Sequence, residues 1–300
     1  MSSTPHENSD SASRPLKAWL DGRKLLLGMV HLAPLPGSST AIARAPGRTS
    51  SEAMDSIVEQ ALRDTRTLLD AGMDGLIVEN FGDIPFQATN VAPATVAAMS
   101  LVAGRIRSLV DSEFAESVAS PTPFLGVNVL RNDASAALAI AATCGFHGIR
   151  VNVHTGVMAS DQGLLEGQAH NTLRERASLG APVAIFADVL VKHAEPLTSG
   201  EPDIAALARD AVERGLADAL IISGKATGSP TDQTHIRTVR EALPETPLLV
   251  GSGVSTSSVA SQLADADGAI VGTALKKDGD VRAAVDATRV RDFLRAAGRQ

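Results

Sequence analysis

The sequence predicts one closed (β/α)8 barrel, eight parallel strands ringed by helices. Three observations carry this. Short, branched apolar runs alternate with helix-period segments along the 300 residues, and counting gives eight such units. No run of hairpins interrupts the alternation, so the strands are expected to be parallel, with right-handed crossovers. The last two runs stop at glycine, residues 248–250 at Gly251-Ser252-Gly253 and residues 269–271 at Gly272-Thr273. In such barrels the loops after strands seven and eight often hold a phosphate.

The elements follow in order. Residues 1–15 are rich in Ser, with Asp, Glu and Pro, and are expected to be a disordered tail, leaving 16–300 as the barrel domain. Strand one covers 25–31, and a long loop over 32–50 follows, broken by Pro34, Pro36, Gly37, Pro46 and Gly47. Ile57, Ala61, Leu62, Thr65 and Leu68 recur at helical spacing and place a helix over 52–69, which Gly72 ends. Strand two is 75–79, its exit loop 80–86, and the next helix 91–110. Pro121-Thr122-Pro123 breaks the chain before strand three at 124–129, and an Ala-rich helix covers 134–144. Strand four is 148–153, followed by a loop containing Gly156 and Gly163 and a helix over 167–179. Strand five is 182–188, then a helix over 203–214 that Gly215 ends, strand six at 219–223 and a helix over 231–242. After strand seven, Ser255 to Ser258 are placed to cap a helix running through Leu263, and a helix over 288–297 closes the chain.

Composition narrows the function. Hydrophobic residues make up 44% and charged residues 20%, as in an ordinary soluble domain. Aromatics are 3%, with no Tyr and one Trp, too few for stacking platforms under single-stranded nucleic acid. A net charge of −7 argues against a nucleic-acid backbone binder. Cys144 is the one cysteine, which excludes an intrachain disulfide and a multi-cysteine metal site. It is expected to be a buried small hydrophobe. There is no apolar signal-peptide core and no run near the length that spans a bilayer, so no integral membrane segment is expected and a cytoplasmic location is the default. Homo-oligomerisation is compatible with this composition.

The barrel supplies a rule for finding the site: polar residues at the C-terminal strand ends share one mouth. The strand ends carry His31, Glu79, Asn80, Asn128, Asn152, His154, Asp188 and Ser223. The loops beyond add Asp83, Arg131, Asn132, Asp133, Asp161, Gln162, Lys192, His193, Thr227 and Asp232. Buried polar groups cost free energy unless paired, so such a run of them at successive strand ends points to an active site.

At these residues the chain resembles a known family. Gly28-Met-Val-His-Leu-Ala-Pro-Leu-Pro-Gly37, Val78-Glu-Asn-Phe-Gly-Asp-Ile-Pro-Phe86, Gly126-Val-Asn-Val-Leu-Arg-Asn-Asp133 and Ile149-Arg-Val-Asn-Val-His-Thr-Gly156 open the likeness. Asp161-Gln-Gly-Leu-Leu-Glu-Gly167, Ala187-Asp-Val-Leu-Val-Lys-His193, Ala217-Asp-Ala-Leu-Ile-Ile-Ser-Gly224, Gly251-Ser-Gly-Val254 and Gly272-Thr-Ala-Leu-Lys276 continue it. Together they resemble the BtpA/SgcQ family from about Leu25 to Leu294. The resemblance implies a TIM barrel of the ribulose-phosphate-binding type. The family name implies a role in photosystem I biogenesis in cyanobacteria, while other relatives resemble sugar-metabolism proteins. Lys225, in Ser223-Gly-Lys-Ala-Thr-Gly228, departs from the family's marks.

Chemistry can be assigned to each candidate. Glu79 and Asp188 suit general acid and base, or the holding of a divalent metal such as Mg2+; the plain alternative is a carboxylate paired with Arg or Lys. His31 and His154 suit proton transfer or a hydrogen-bonding role. His147, before strand four, is expected to be structural. Lys192 suits anion binding, a Schiff base or a solvated surface. Arg131 suits a clamp on a carboxylate or phosphate, or a salt bridge to Asp133. Asp161, Gln162 and Gly163 are expected in a loop over the mouth, with Asp161 as a helix N-cap the alternative. Asn128, Asn152, His193, Ser223 and Thr227 would hold substrate, and Gly251, Ser252, Gly253, Gly272 and Thr273 its phosphate. No metal signature, dinucleotide fingerprint or phosphate-binding P-loop is present, so no cofactor is identified. The expected function is an isomerase- or lyase-type enzyme acting on a small phosphorylated sugar or nucleoside-derived metabolite. The alternative is a non-catalytic assembly or stability factor.

Overall fold

The computed structural model describes residues 16, 19–20, 23–44, 47, 49–114, 122–191, 194–197, 200–224 and 232–299. The expected tail over 1–15 lies outside these residues, as do Lys192, His193, Lys225 and Thr227.

The described strands are β1 (Leu25–His31), β2 (Gly75–Glu79), β3 (Phe124–Asn128), β4 (Gly148–Val151), β5 (Val157–Ser160), β6 (Gly163–Glu166), β7 (Ala184–Leu190), β8 (Ala194–Pro196), β9 (Ala219–Ser223), β10 (Leu248–Gly251) and β11 (Gly268–Val271). Eight of them close a parallel barrel in the order β1, β2, β3, β4, β7, β9, β10, β11, the last pairing with the first. Helices α1 (Ser39–Arg44), α2 (Ser50–Asp70), α3 (Pro93–Glu113), α4 (Ala134–Cys144), α5 (Ala169–Leu179), α6 (Ile204–Arg209), α7 (Gln233–Ala242), α8 (Val259–Gln262) and α9 (Ala287–Ala296) lie between and after the strands. Local sequence sets their ends. Thr49 and Glu52 cap α2 reciprocally, with the Glu52 carboxylate accepting from Thr49 N–H at 2.8 Å. Gly145 and Gly180 close α4 and α5 at φ 67° and 60°, a conformation that favours glycine.

Strand side chains alternate, and the alternation sorts two cores. Leu25, Leu27, Met29, Ile77, Phe124, Phe186, Ile221, Leu249 and Ile270 point into the barrel. Leu26, Val30, Leu76, Val78, Val127 and Ile149 point outward and pack with the helices. Leu16 and Trp19 join the inner cluster, and Trp19 meets Phe124 edge-on at 5.3 Å. Phe124 opens β3, so this contact closes the end of the barrel opposite the mouth. Stepping each inward column two residues at a time to the other end reaches His31, Glu79, Asn128, Asn152, Asp188, Ser223, Gly251 and Gly272. Register aligns His31 with Glu79, Glu79 with Asn128, and Asn128 with Arg150. A buried ion pair, Lys276 Nζ to Asp64 Oδ2 at 3.0 Å, ties the segment after β11 to α2.

Several expectations are corrected. The loop over 32–50 contains α1. The loop with Gly156 and Gly163 is a hairpin, β5 and β6, which with β8 forms a three-stranded antiparallel sheet. Asp161 sits at the turn of that hairpin and does not cap α5, whose N-cap is Gln168. The helix over 203–214 widens into a π turn at Asp210–Arg214. The helix after β10 is a single turn, α8. Cys144 is half-buried, its thiol near the Ser100 carbonyl at 3.5 Å. Among the described residues no helix is long and apolar enough to cross a membrane.

Candidate active site

A cavity of about 590 Å³ opens at the C-terminal strand ends. Its polar wall comes from His31 of β1, Glu79 of β2, Arg131 after β3, and Arg150 and Asn152 of β4 and its exit. The hairpin turn adds Asp161 and Gln162, and the far side is Ser252, Gly253, Ser255, Gly272, Thr273 and Arg289.

The centre of the site is a buried ion pair. Arg150 donates from Nε to Asp188 Oδ2 at 3.1 Å and from Nη2 to Oδ1 at 3.0 Å. Asn152 Nδ2 donates to Oδ2 at 2.7 Å, and the Ser223 hydroxyl donates to Oδ1 at 3.3 Å. Burial works against the Arg150 charge, but Asp188 and Glu79 outweigh it and hold the guanidinium above its ordinary pKa. Both carboxylate oxygens of Asp188 are therefore engaged, and Asp188 is not in the cavity wall. The sequence leaves acid-base chemistry and pairing with Arg or Lys both open for Asp188; the geometry shows the pairing, with Arg150. Sequence reasoning named Asp188 but missed Arg150. A signal was available, since Arg150 shares strand parity with Asn152 in an apolar run.

Glu79 keeps its place in the wall. It is buried, and its Oε1 lies 3.7 Å from His31 Nε2, an ion-pair separation longer than a hydrogen bond. The His31 ring stacks on Phe81 at 4.7 Å. Gly272 permits that ring position, because a Cβ there would lie 3.0 Å from His31 Cε1.

The glycine turns divide their labour. Ser252 and Gly253 both adopt left-handed backbone, φ 64° and 71°, and both line the cavity. Gly251 is buried and outside the wall; a Cβ there would lie 2.7 Å from Ile221 Cγ2, 3.3 Å from Ser223 Oγ and 3.7 Å from Arg150 Nη2. The sequence expects Gly251 to meet the phosphate; in the fold its missing side chain leaves room for Ile221 and, less tightly, for the Ser223 hydroxyl. Arg289, also missed from the sequence, reaches the wall from α9 with Nε donating to the Ala274 carbonyl at 2.9 Å.

Arg131 stands on the opposite side. Burial lowers its pKa, against the charges of Asp161, Glu79 and Asp188. Asp133, the sequence's other candidate partner for it, caps α4 and accepts from Val91 N–H at 2.8 Å. Asn80 and Asp83 are framework. Asn80 binds Leu130 N–H at 2.7 Å and Asp83 at 3.2 Å, and Asp83 accepts from Leu35 N–H at 2.8 Å, joining the loops after β1, β2 and β3. Burial raises the Asp83 pKa. Asn128 lies beneath the wall, donating to the Arg150 carbonyl at 3.3 Å.

His154 is corrected outright. It is buried away from the mouth, Nε2 donating to the Gly215 carbonyl at 2.7 Å, and burial lowers its pKa. The strand has already ended at Val151, so strand parity no longer aims residue 154 inward. Lys192, His193 and Thr227 fall outside the described residues. Among the described residues, no group of three or more His, Cys, Asp or Glu is arranged to hold a metal ion.

Known proteins resemble this architecture and this sequence. The tryptophan synthase alpha chain of Legionella pneumophila matches the fold at TM-score 0.52 and 16% identity, over 97% of each chain. Photosystem I biogenesis protein BtpA of Synechocystis is 45% identical over 271 residues, 90% of this chain and 87% of that protein. An uncharacterized protein of Thermococcus kodakarensis is 44% identical over 275 residues, 92% of this chain and 95% of that one. The model of the BtpA family matches residues 22–299. With that match spanning the barrel and its mouth, the chain belongs to the BtpA family.

Proposed function

We propose that the chain is an enzyme acting on a small phosphorylated metabolite, a sugar phosphate or a nucleoside-derived sugar phosphate, by proton transfer beside a carbonyl or anomeric carbon. One observation carries the reading: the buried Glu79 faces His31 in the same cavity wall as the left-handed turn at Ser252 and Gly253. The turns after β10 and β11, with Arg289, would take the phosphate. Glu79 would remove the proton and His31 return it. Arg150, held by Asp188, and Arg131 would orient the substrate's oxygens. Binding energy from the phosphate would position the reacting end.

A second reading is favoured by the name of the Synechocystis relative, a photosystem I biogenesis protein. Under it the outer surface acts in assembly and the mouth is idle. Glu79→Gln separates the two. A normally folded variant that loses the biological role supports the enzyme; full retention of the role supports the assembly factor. Substrates are sought by thermal shift with phosphorylated sugars and nucleotides, each with and without Mg2+, since a carboxylate, water and substrate phosphate suffice to hold that ion.

A further inference from the structure

We propose that the ligand carries a flat apolar ring beyond its sugar, a nucleobase or another aryl group, and that the loop after β2 receives it through Ile84, Pro85 and Phe86. The inference rests on the phosphate reading of the mouth for the ligand's other end. The loop reverses the usual order of polarity. Its polar residues Asn80 and Asp83 are buried and bonded to neighbouring segments. Its apolar residues are the accessible ones: Ile84 is 40% exposed, Pro85 is exposed and Phe86 is half-buried. All three line the cavity. A single exposed apolar side chain is ordinary. Three in succession on a concave wall are not, and such a surface marks a place that a ligand covers. The other large exposed hydrophobics among the described residues, Leu101, Leu164, Leu179, Leu197 and Leu216, stand outside this wall.

Position and size agree. Asn80 Oδ1 accepts from Leu130 N–H at 2.7 Å, and Arg131 N–H donates to the Gln87 carbonyl at 3.2 Å, so the loop is fastened at both ends to the exit of β3. In the ring of eight strands β3 stands directly across from β10, so this exit faces the turn at Ser252 and Gly253. Around the ring, β1 and β2 lie between the two and carry His31 and Glu79. A ligand laid across the mouth therefore has its phosphate on one side of these groups and its far end against the loop. Leu130 and Val191 extend the apolar wall there. The cavity, about 590 Å³, falls within the roughly 300–1,000 Å³ of sites that enclose ligands of drug size, larger than a sugar phosphate. A ring covers the apolar wall and gains in proportion to the area removed from water, whereas a bare sugar leaves that wall wet.

The test is calorimetric titration with two matched pairs, adenosine 5′-phosphate against ribose 5-phosphate and 3-phenylpropyl phosphate against propyl phosphate, with inorganic phosphate as reference. Wild type is expected to prefer the ring-bearing member by about tenfold or more. A gain in both pairs assigns the wall to any flat apolar ring, in the first pair alone to a nucleobase, and in the second alone to another aryl group. Ile84→Ser and Phe86→Ser should each shrink the gain while binding propyl phosphate and inorganic phosphate as wild type does. Ile84 also borders a smaller hollow beside the segment after β1, which Phe86 does not, so the two variants check each other. Leu101→Ser, on α3 and outside the wall, should change nothing. Wild-type ratios near one, or ratios kept in both variants, overturn the proposal. Ile84 is exposed, so its variant should fold; if Phe86→Ser does not, Ile84→Ser decides. If neither inorganic phosphate nor propyl phosphate binds, the phosphate reading fails, and adenosine and 3-phenylpropanol then test the ring site alone. Binding of either that Ile84→Ser weakens upholds it; binding of neither defeats both.

Discussion

The guanidinium of Arg150 forks the carboxylate of Asp188 within the barrel, at 3.1 and 3.0 Å, with both side chains buried. The Asp188 carboxylate is closed off from water, and Arg150 meets it only at the cavity wall. Asp188→Ala leaves Arg150 uncompensated and is expected to lower the unfolding free energy by about 3–5 kcal/mol, measured by urea denaturation. The double substitution Arg150→Met with Asp188→Leu should recover most of that loss, because two apolar groups need no partner. It should still bind ligand poorly, since the oriented donors are gone.

Glu79 is assigned the proton. Glu79→Gln keeps size and hydrogen bonding but cannot act as a base at neutral pH. Turnover of the substrate found by screening should fall by about 10²–10⁴-fold. The stabilisation of the fold by inorganic phosphate should be unchanged, because the phosphate turns lie elsewhere in the wall. Loss of both together would mean that the variant has damaged the site as a whole.

Gly272 carries a sharper geometric test. Its missing Cβ leaves space for the His31 ring, which a methyl group would approach to 3.0 Å at Cε1 and 3.4 Å at Nε2. Gly272→Ala should displace the ring from its present position beside Glu79 and reduce turnover more than it reduces stability. The expected overpacking cost is about 1–3 kcal/mol, read from thermal denaturation beside the steady-state rate.

His147 sets a pH dependence of stability. Its Nδ1 accepts from Leu125 N–H at 2.9 Å, and its ring packs 4.8 Å from Trp19 and 5.7 Å from Phe124. Burial, with Arg107 nearby, pushes its pKa down to about 4, Asp111 opposing. The unfolded imidazole titrates near 6.5. Between those values the unfolded chain binds a proton that the native chain refuses, so stability falls as pH falls through this window. The loss is on the order of 3 kcal/mol by pH 4. His147→Gln should flatten the slope of unfolding free energy against pH over this range. Some slope should remain, because burial also lowers the pKa of His154.

The sequence was most legible where an apolar run is bounded by clear punctuation. Residues 75–79 and 219–223 are bounded as expected because glycine or a polar residue marks their ends. The hairpin over 157–166 escaped notice because its strands are short and one of its partners is the three-residue β8 far along the chain. Glu79 and His31 line the cavity because β1 and β2 run to those residues, as the strand ends predict. They misplaced His154 because pairing stops three residues earlier, at Val151. Arg150 was hidden by its position within a strand, where a charge seems out of place until its partner Asp188, 38 residues away, is brought opposite. Arg289 was hidden because its helix follows the last strand and reaches the mouth only through the fold.

The most direct measurement is the melting temperature of the wild-type chain across a concentration series of phosphorylated sugars, with inorganic phosphate as the reference. A ligand at 100 times its dissociation constant should stabilise the fold by about 2.7 kcal/mol, and the midpoint should climb with concentration. The effect should be weakened by Arg289→Ala and by a bulky side chain at Gly253. A melting temperature that no phosphorylated compound moves would contradict a phosphate-binding mouth, and with it the enzyme proposed here.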